Sequence, residues 1–174
     1  IPASGEKIPV IGMGSWLTFD VGDDQAARAT RVQVMQAFFD QGGGLVDSSP
    51  MYGSAQEVIG HCLRQIQNRG ALFAATKVWI YGQALGRRQM EASRSLWGVP
   101  RFDLMQIHNM LDWEGHLEVL REMKREGRIR YIGITTTSEN QYADLARVMR
   151  DYPIDFIGID YAIDSRVAEQ TIFP

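Results

Sequence analysis

The chain has 174 residues, 45% hydrophobic and 22% charged, enough for one domain with a sizeable core. Its 18 basic and 21 acidic residues leave a net charge of −3, which gives no electrostatic footprint for nucleic acid or an anionic membrane. No apolar run approaches the roughly 20 residues needed to cross a bilayer.

In chain order, Ile1 to Val10 reads as a small β-hairpin with Ser4-Gly5-Glu6-Lys7 as its turn, ahead of a strand at Val10-Ile11-Gly12-Met13. Gln25 to Gln41 has helical periodicity, with Ala29, Val32, Ala37 and Phe38 near one face. Gly42-Gly43-Gly44 supplies its C-terminal turn before a strand at Leu45-Val46. Ser54-Ala55-Gln56-Glu57 has the form of a capping box opening a helix with Val58, Ile59, Cys62, Leu63 and Ile66. Further strands are expected at Leu72 to Ala75, Phe102 to Ile107, Ile129 to Ile134 and Ile154 to Ile159. Between them, Gln89 to Trp97 forms part of a third helix. Trp113 to Glu126 forms a fourth, with Leu117, Leu120 and Met123 on one side and Gly127 as its stop. Ser138 caps a fifth, carrying Tyr142, Leu145, Val148 and Met149 and ending before Pro153.

Strands alternating with helices through short loops imply a parallel sheet with right-handed crossovers, in one α/β domain over residues 1–174. An open doubly wound dinucleotide fold would place a glycine-rich turn after its first strand. Here Gly12-Met13-Gly14-Ser15-Trp16-Leu17 lacks the third glycine, so a (β/α)8 TIM barrel is the better reading. A complete barrel takes about 250 residues, so the chain is expected to supply the first six βα units. Strands 7 and 8 are then disordered, cleaved or not encoded, and disorder coupled to a missing cofactor is the favoured explanation. Cys62 is the only cysteine, which excludes an intrachain disulfide and fits a reducing compartment. A cytoplasmic location is expected. An exported form stays open, because the chain begins at Ile1 rather than Met. Oligomeric state is not readable.

Chemistry in a barrel sits at the C-terminal ends of the strands. Those ends carry Asp47, then Thr76-Lys77, Gln106-Ile107-His108-Asn109, Thr135-Thr136 and Asp160-Tyr161. A lysine continuing the run Leu72 to Ala75 is expected to be buried and to need a charged partner, for which Asp47 is the candidate. Alone, each residue is explained as well by a structural ion pair or a satisfied core histidine. Together they point to carbonyl chemistry. Lys77 would lower the pKa of Tyr52, and Tyr52 would act as general acid while His108 orients a carbonyl oxygen. No side chain donates hydride, so a nicotinamide cofactor is implied. His61, His108 and His116 do not form a plausible metal set.

The ordered set Asp47-Ser48-Ser49-Pro50-Met51-Tyr52-Gly53, Thr76-Lys77 and Asp103-Leu104-Met105-Gln106-Ile107-His108 resembles the aldo-keto reductase superfamily, from Ile8 to about Glu169. The resemblance implies a (β/α)8 barrel, a small-molecule carbonyl substrate and NADPH as cofactor, with NADH as the alternative. It implies a tetrad of Asp47, Tyr52, Lys77 and His108. Gly14, Ser15, Asn109, Thr135, Thr136 and Tyr161 would hold the cofactor, and Trp16 and Trp79 would wall the substrate pocket. Two positions depart from the family. Thr135-Thr136 stands where a Ser-Asn pair holds the carboxamide, and Gly158 stands where a glutamine is common. These departures leave a second function open, a catalytically weak or inactive cofactor-binding regulatory protein of the same fold.

Overall fold

The computed structural model describes residues 1–173. Six parallel strands hydrogen-bond in sequence order, β1 (Met13–Gly14), β2 (Leu45–Asp47), β3 (Phe73–Val78), β4 (Phe102–Ile107), β5 (Ile129–Thr136) and β6 (Phe156–Ile159). Helices α1 (Gln25–Asp40), α2 (Ala55–Leu63), α3 (Gln83–Trp97), α4 (Trp113–Arg125) and α5 (Tyr142–Asp151) alternate with them, and a short α6 (Ala168–Thr171) follows β6. The sheet is the curled six-unit part of a (β/α)8 barrel.

Residues of a strand point alternately to its two faces, and that alternation separates two cores. Val46, Ala74, Val78, Met105, Ile107, Ile132 and Ile134 face the helices, where they join Met35, Ile59, Met90, Leu120 and Leu145. Phe73, Ala75, Leu104 and Tyr131 form a second cluster with Leu45 and Phe156, on the inner face of the curl. Following the inner row upward leads from Phe73 and Ala75 to Lys77, from Leu45 to Asp47, from Leu104 to Gln106 and from Tyr131 to Thr135. The floor of the barrel therefore determines which side chains reach its mouth.

Several local expectations are corrected. Ile1 to Val10 forms no hairpin; Gly5 N–H donates to Ile1 O at 2.9 Å and the Ile1 ammonium donates to Glu6 O at 2.7 Å, which closes a turn. Pro2 and Pro9 lack ladder donors, and Ile1 and Ile8 instead pack on the inner cluster while Glu6 pairs with Arg130. The first strand is confined to two residues, and Val10 and Ile11 stand exposed before it. In α1 the inward face is Arg28, Val32, Met35 and Phe39. Ala29 and Ala37 face outward. Arg28 is buried because Gly22 O, Asp23 and Glu57 satisfy its guanidinium.

The capping box at α2 does not close. Ser54 makes no cap bond; its hydroxyl donates to Asp20 and accepts from Gly22 N–H, both at 2.8 Å, and Glu57 is taken by Arg28. Gln56 faces inward and bridges three elements, bonding Thr76 of β3 together with Ser93 and Trp97 of α3. Ser138 likewise precedes a single 3-10 turn rather than capping α5 directly. Expected turns at Gly42 (φ +83°) and Gly127 (φ +71°) are present.

Candidate active site

Register brings the mouth residues side by side. Gly14 pairs with Asp47, Asp47 with Ala75, Lys77 with Gln106, and Thr135 with Gly158. Lys77 is only 6% exposed, and its ammonium donates to the Asp47 carboxylate and, at 2.8 Å, to Ser48 O. The second Asp47 oxygen accepts from Gln106 Nε2 at 2.8 Å. Burial raises the Asp47 carboxyl above its ordinary range, while the Lys77 charge and the bonds from Lys77 and Gln106 work against that rise.

Tyr52 lies on the loop between β2 and α2, and this loop is tied to the one after β1. Asp20 Oδ1 accepts from both Ser54 N–H and Ser54 Oγ at 2.8 Å. Gly53 adopts φ +54°, and a Cβ there would lie 2.3 Å from Asp20 Oδ2, so the contact requires glycine. Lys77 Nζ lies 5.3 Å from the centre of the Tyr52 ring. Contrary to the sequence expectation, the Tyr52 hydroxyl is pushed above its ordinary value, first by burial and then by the Asp47 charge. The phenol is thus held protonated, the form a proton donor needs.

His108 begins a short 3-10 turn after β4. Its ring meets those of Tyr52 and Trp79 edge-on, at centroid separations of 6.5 and 5.7 Å. Its Nδ1 lies 3.1 Å from Thr135 Oγ1, which also accepts from Asn109 N–H at 3.0 Å. Burial, and then the Lys77 charge, push the imidazole down to about 4, so it is neutral at physiological pH. Asn109, Met110 and Asp112 all take positive φ, a cluster of left-handed non-glycine residues directly after the histidine.

Both tryptophans flank this group. Trp16 is 65% exposed, with its ring 6.4 Å from that of Tyr52. Trp79 is held through its backbone: its N–H donates to Gln89 Oε1 at 2.7 Å and its carbonyl accepts from Gln89 Nε2 at 3.3 Å. The next carbonyl, Ile80 O, lies 2.6 Å from Nε2 of the fully buried His116.

The expected cofactor residues divide into two groups. A Cβ on Gly14 would meet nothing within 4 Å, so a ligand can approach its backbone. Asn109 Oδ1 is buried with no partner, which suits an incoming amide N–H. Thr135 Oγ1 keeps one lone pair free beyond its Asn109 bond. The other three are otherwise engaged. Ser15 is fully buried and donates to Asp47 O at 2.9 Å. Thr136, also fully buried, bonds Gln141 and Ser138. Tyr161 is 49% exposed, with its hydroxyl on Glu169 at 2.6 Å and its ring against Phe173. Among the described residues, no group of three or more His, Cys, Asp or Glu is disposed to hold a metal. No helix is long and apolar enough to cross a membrane.

Residues 10–174 match the sequence profile of the Aldo/keto reductase family. The chain belongs to that family. It is 27% identical over 192 residues to the aldo-keto reductase YhdN of Bacillus subtilis, covering 100% of this chain and 56% of that protein. It is 27% identical over 150 residues to the methylglyoxal reductase YeaE of Escherichia coli, covering 83% of this chain and 51% of that protein. The chain thus spans about half the length of these curated relatives. Among solved structures, an aldo/keto reductase from Klebsiella pneumoniae in complex with NADP and acetate superposes with a TM-score of 0.79 at 22% identity. That match covers 95% of this chain and 59% of the other.

Gln106, Gln89, Gln141 and Asp20 were not singled out as site residues by sequence reasoning. Gln106 carried a usable signal, since it lies two residues before His108 on the inward face of β4. The other three sit on loops or helices and reach the site through partners remote in sequence.

Proposed function

We propose that the protein containing this chain reduces aldehydes or ketones to alcohols with a reduced nicotinamide cofactor, NADPH or alternatively NADH, using Tyr52 as proton donor. The observation that carries this reading is the Tyr52 phenol, held protonated at the barrel mouth beside the neutral His108 ring and the buried Lys77–Asp47 pair. Asn109 and Thr135 have free acceptor capacity for the cofactor carboxamide, and Gly14 leaves space for its approach. When bound, the cofactor supplies the hydride.

The remaining steps belong to the chain. His108 donates a hydrogen bond that aligns the carbonyl oxygen. The Tyr52 O–H proton passes to that oxygen as negative charge develops on it. Its raised pKa still leaves the phenol far more acidic than the alcohol formed. Lys77 Nζ, near the ring face, stabilises the resulting phenolate, and Asp47 keeps that ammonium in place. Trp16 and Trp79 wall the substrate pocket beside Tyr52 and His108.

The reading is tested with Tyr52→Phe in the full protein. Carbonyl reduction should fall by about 10²–10⁴-fold, the usual contribution of a positioned acid, with cofactor binding kept. Equal turnover in the two proteins refutes the assignment.

A further inference from the structure

We propose that Thr135 is a positioning residue that sets the tautomer of His108, keeping the ring proton on Nε2 so that this nitrogen faces the reacting carbonyl as a donor. The donor role toward a carbonyl rests on the reductase reading; the tautomer itself does not.

Thr135 Oγ1 lies 3.0 Å from Asn109 N and 3.1 Å from His108 Nδ1. A backbone N–H can only donate, so one lone pair of Oγ1 is taken by Asn109. The hydroxyl proton needs an acceptor, because Thr135 is only 6% exposed. Among the described residues, the one acceptor within hydrogen-bond distance is His108 Nδ1. If Nδ1 carried a hydrogen instead, Oγ1 would receive two donors and its own proton would have no partner. Nδ1 therefore presents its lone pair, and a neutral imidazole then carries its hydrogen on Nε2. Neutrality follows from the burial of the ring and the nearby Lys77 charge. Nε2 makes no hydrogen bond among the described residues, and the ring lies edge-on to both Tyr52 and Trp79.

Why threonine stands here also follows from packing. Its Cγ2 lies 3.0 Å from the position a Cβ on Gly158 would take. Glycine on β6 thus leaves room for a β-branched side chain on β5, and the branch restricts χ1. The hydroxyl is held toward His108 and the methyl fills the space above β6.

The experiment records histidine ring ¹H–¹⁵N long-range correlation spectra of the full protein at neutral pH, with H108Q identifying the signals. The expected wild-type result is a protonated Nε2 and an unprotonated Nδ1. T135V, which loses the hydroxyl, should shift both nitrogens toward an averaged mixture of tautomers, whereas T135S should keep the wild-type pattern. A wild-type Nδ1–H form overturns the proposal, as does an unchanged pattern in T135V. If T135V does not fold, T135A, which also lacks the hydroxyl, takes its place with the same two outcomes. In kinetics, T135V should lower kcat about tenfold, the equivalent of one hydrogen bond, with T135S near wild type. A T135V protein with an altered tautomer and undiminished kcat overturns the donor role. A wild type unable to reduce any carbonyl overturns the functional reading and leaves the tautomer result standing.

Discussion

Removing the Asp47 carboxylate isolates the electrostatic problem at the centre of the site. In Asp47→Ala, Lys77 loses its ion-pair partner and Gln106 Nε2 loses its acceptor, while the Lys77 bond to Ser48 O survives. Breaking a buried ion pair from one side costs about 3–5 kcal/mol. The full value does not apply here, because the Asp47 side chain is 29% exposed and water can enter the vacated space. With the Ser48 bond retained, about 2–3 kcal/mol is expected, a large share of the roughly 5–15 kcal/mol of a whole domain. Urea unfolding followed by circular dichroism should show a midpoint lower by about 1–2 M with an unchanged slope. The double variant Asp47→Leu with Lys77→Met, which removes both charges, should recover most of the loss, because no buried charge is left unpaired. A single variant within about 0.5 kcal/mol of wild type, the range of ordinary surface changes, would show that Lys77 is effectively solvated and refute this account of the pair.

Other outcomes follow from the same geometry. The His108 ring, pushed down to about 4, binds fewer protons in the folded state than at its unfolded value of about 6.5. Stability should therefore rise with pH across that window and be lost as pH falls through it. H108Q should flatten the profile there by about 1–2 kcal/mol, after allowing for solvent screening of a partly exposed ring. Gly158→Ala should cost about 1 kcal/mol by crowding Thr135 Cγ2, and the cost should shrink in a T135S background. Additive effects in that double-mutant cycle would refute the contact. Gln89→Leu removes both backbone bonds that hold Trp79, and should raise KM for bulky carbonyls about fivefold, the worth of about one hydrogen bond, with a smaller change in kcat. An unchanged KM across substrate sizes would separate Trp79 from the pocket wall.

What could be read in the sequence was what alternation along a strand dictates. Asp47, Lys77 and Thr135 lie on inward positions of short apolar strands, and His108 lies one residue beyond β4, so parallel register brings them to one mouth. Phe102 to Ile107 is bounded as expected, with Phe102, Leu104, Met105 and Ile107 as its buried apolar positions. Errors arose where a polar group's partner lay far along the chain. The Ser54 hydroxyl is claimed by Asp20, 34 residues earlier, so a local capping signature failed. Arg28 faces inward because Glu57, 29 residues later, reaches its guanidinium; Val32 and Phe38 were read correctly as core-facing, but Ala29 and Ala37 were placed where Arg28, Met35 and Phe39 are buried. For Tyr52 the groups were identified but the net shift was not, because burial and the Asp47 charge decide its sign.

The two departures from the family pattern show a subtler limit of residue-by-residue reading. Taken separately, Thr135 in place of serine is tolerable, and Gly158 in place of glutamine is the loss of a cofactor contact. In three dimensions they are one arrangement. The Thr135 methyl occupies space that any side chain at position 158 would enter, at 3.0 Å from its Cβ, and Gln106 Oε1 lies 3.5 Å from the same point. A side chain on β6 would press on the Thr135 methyl by a few tenths of an ångström and touch Gln106, the two residues that bond His108 and Asp47. Instead, Gln106 reaches Asp47 from β4, and Thr135 holds His108 from β5. The glycine is thus tied to the packing around Asp47 and His108, and Gly158→Gln should lower kcat/KM for carbonyl reduction rather than raise it; a raised value would refute the coupling.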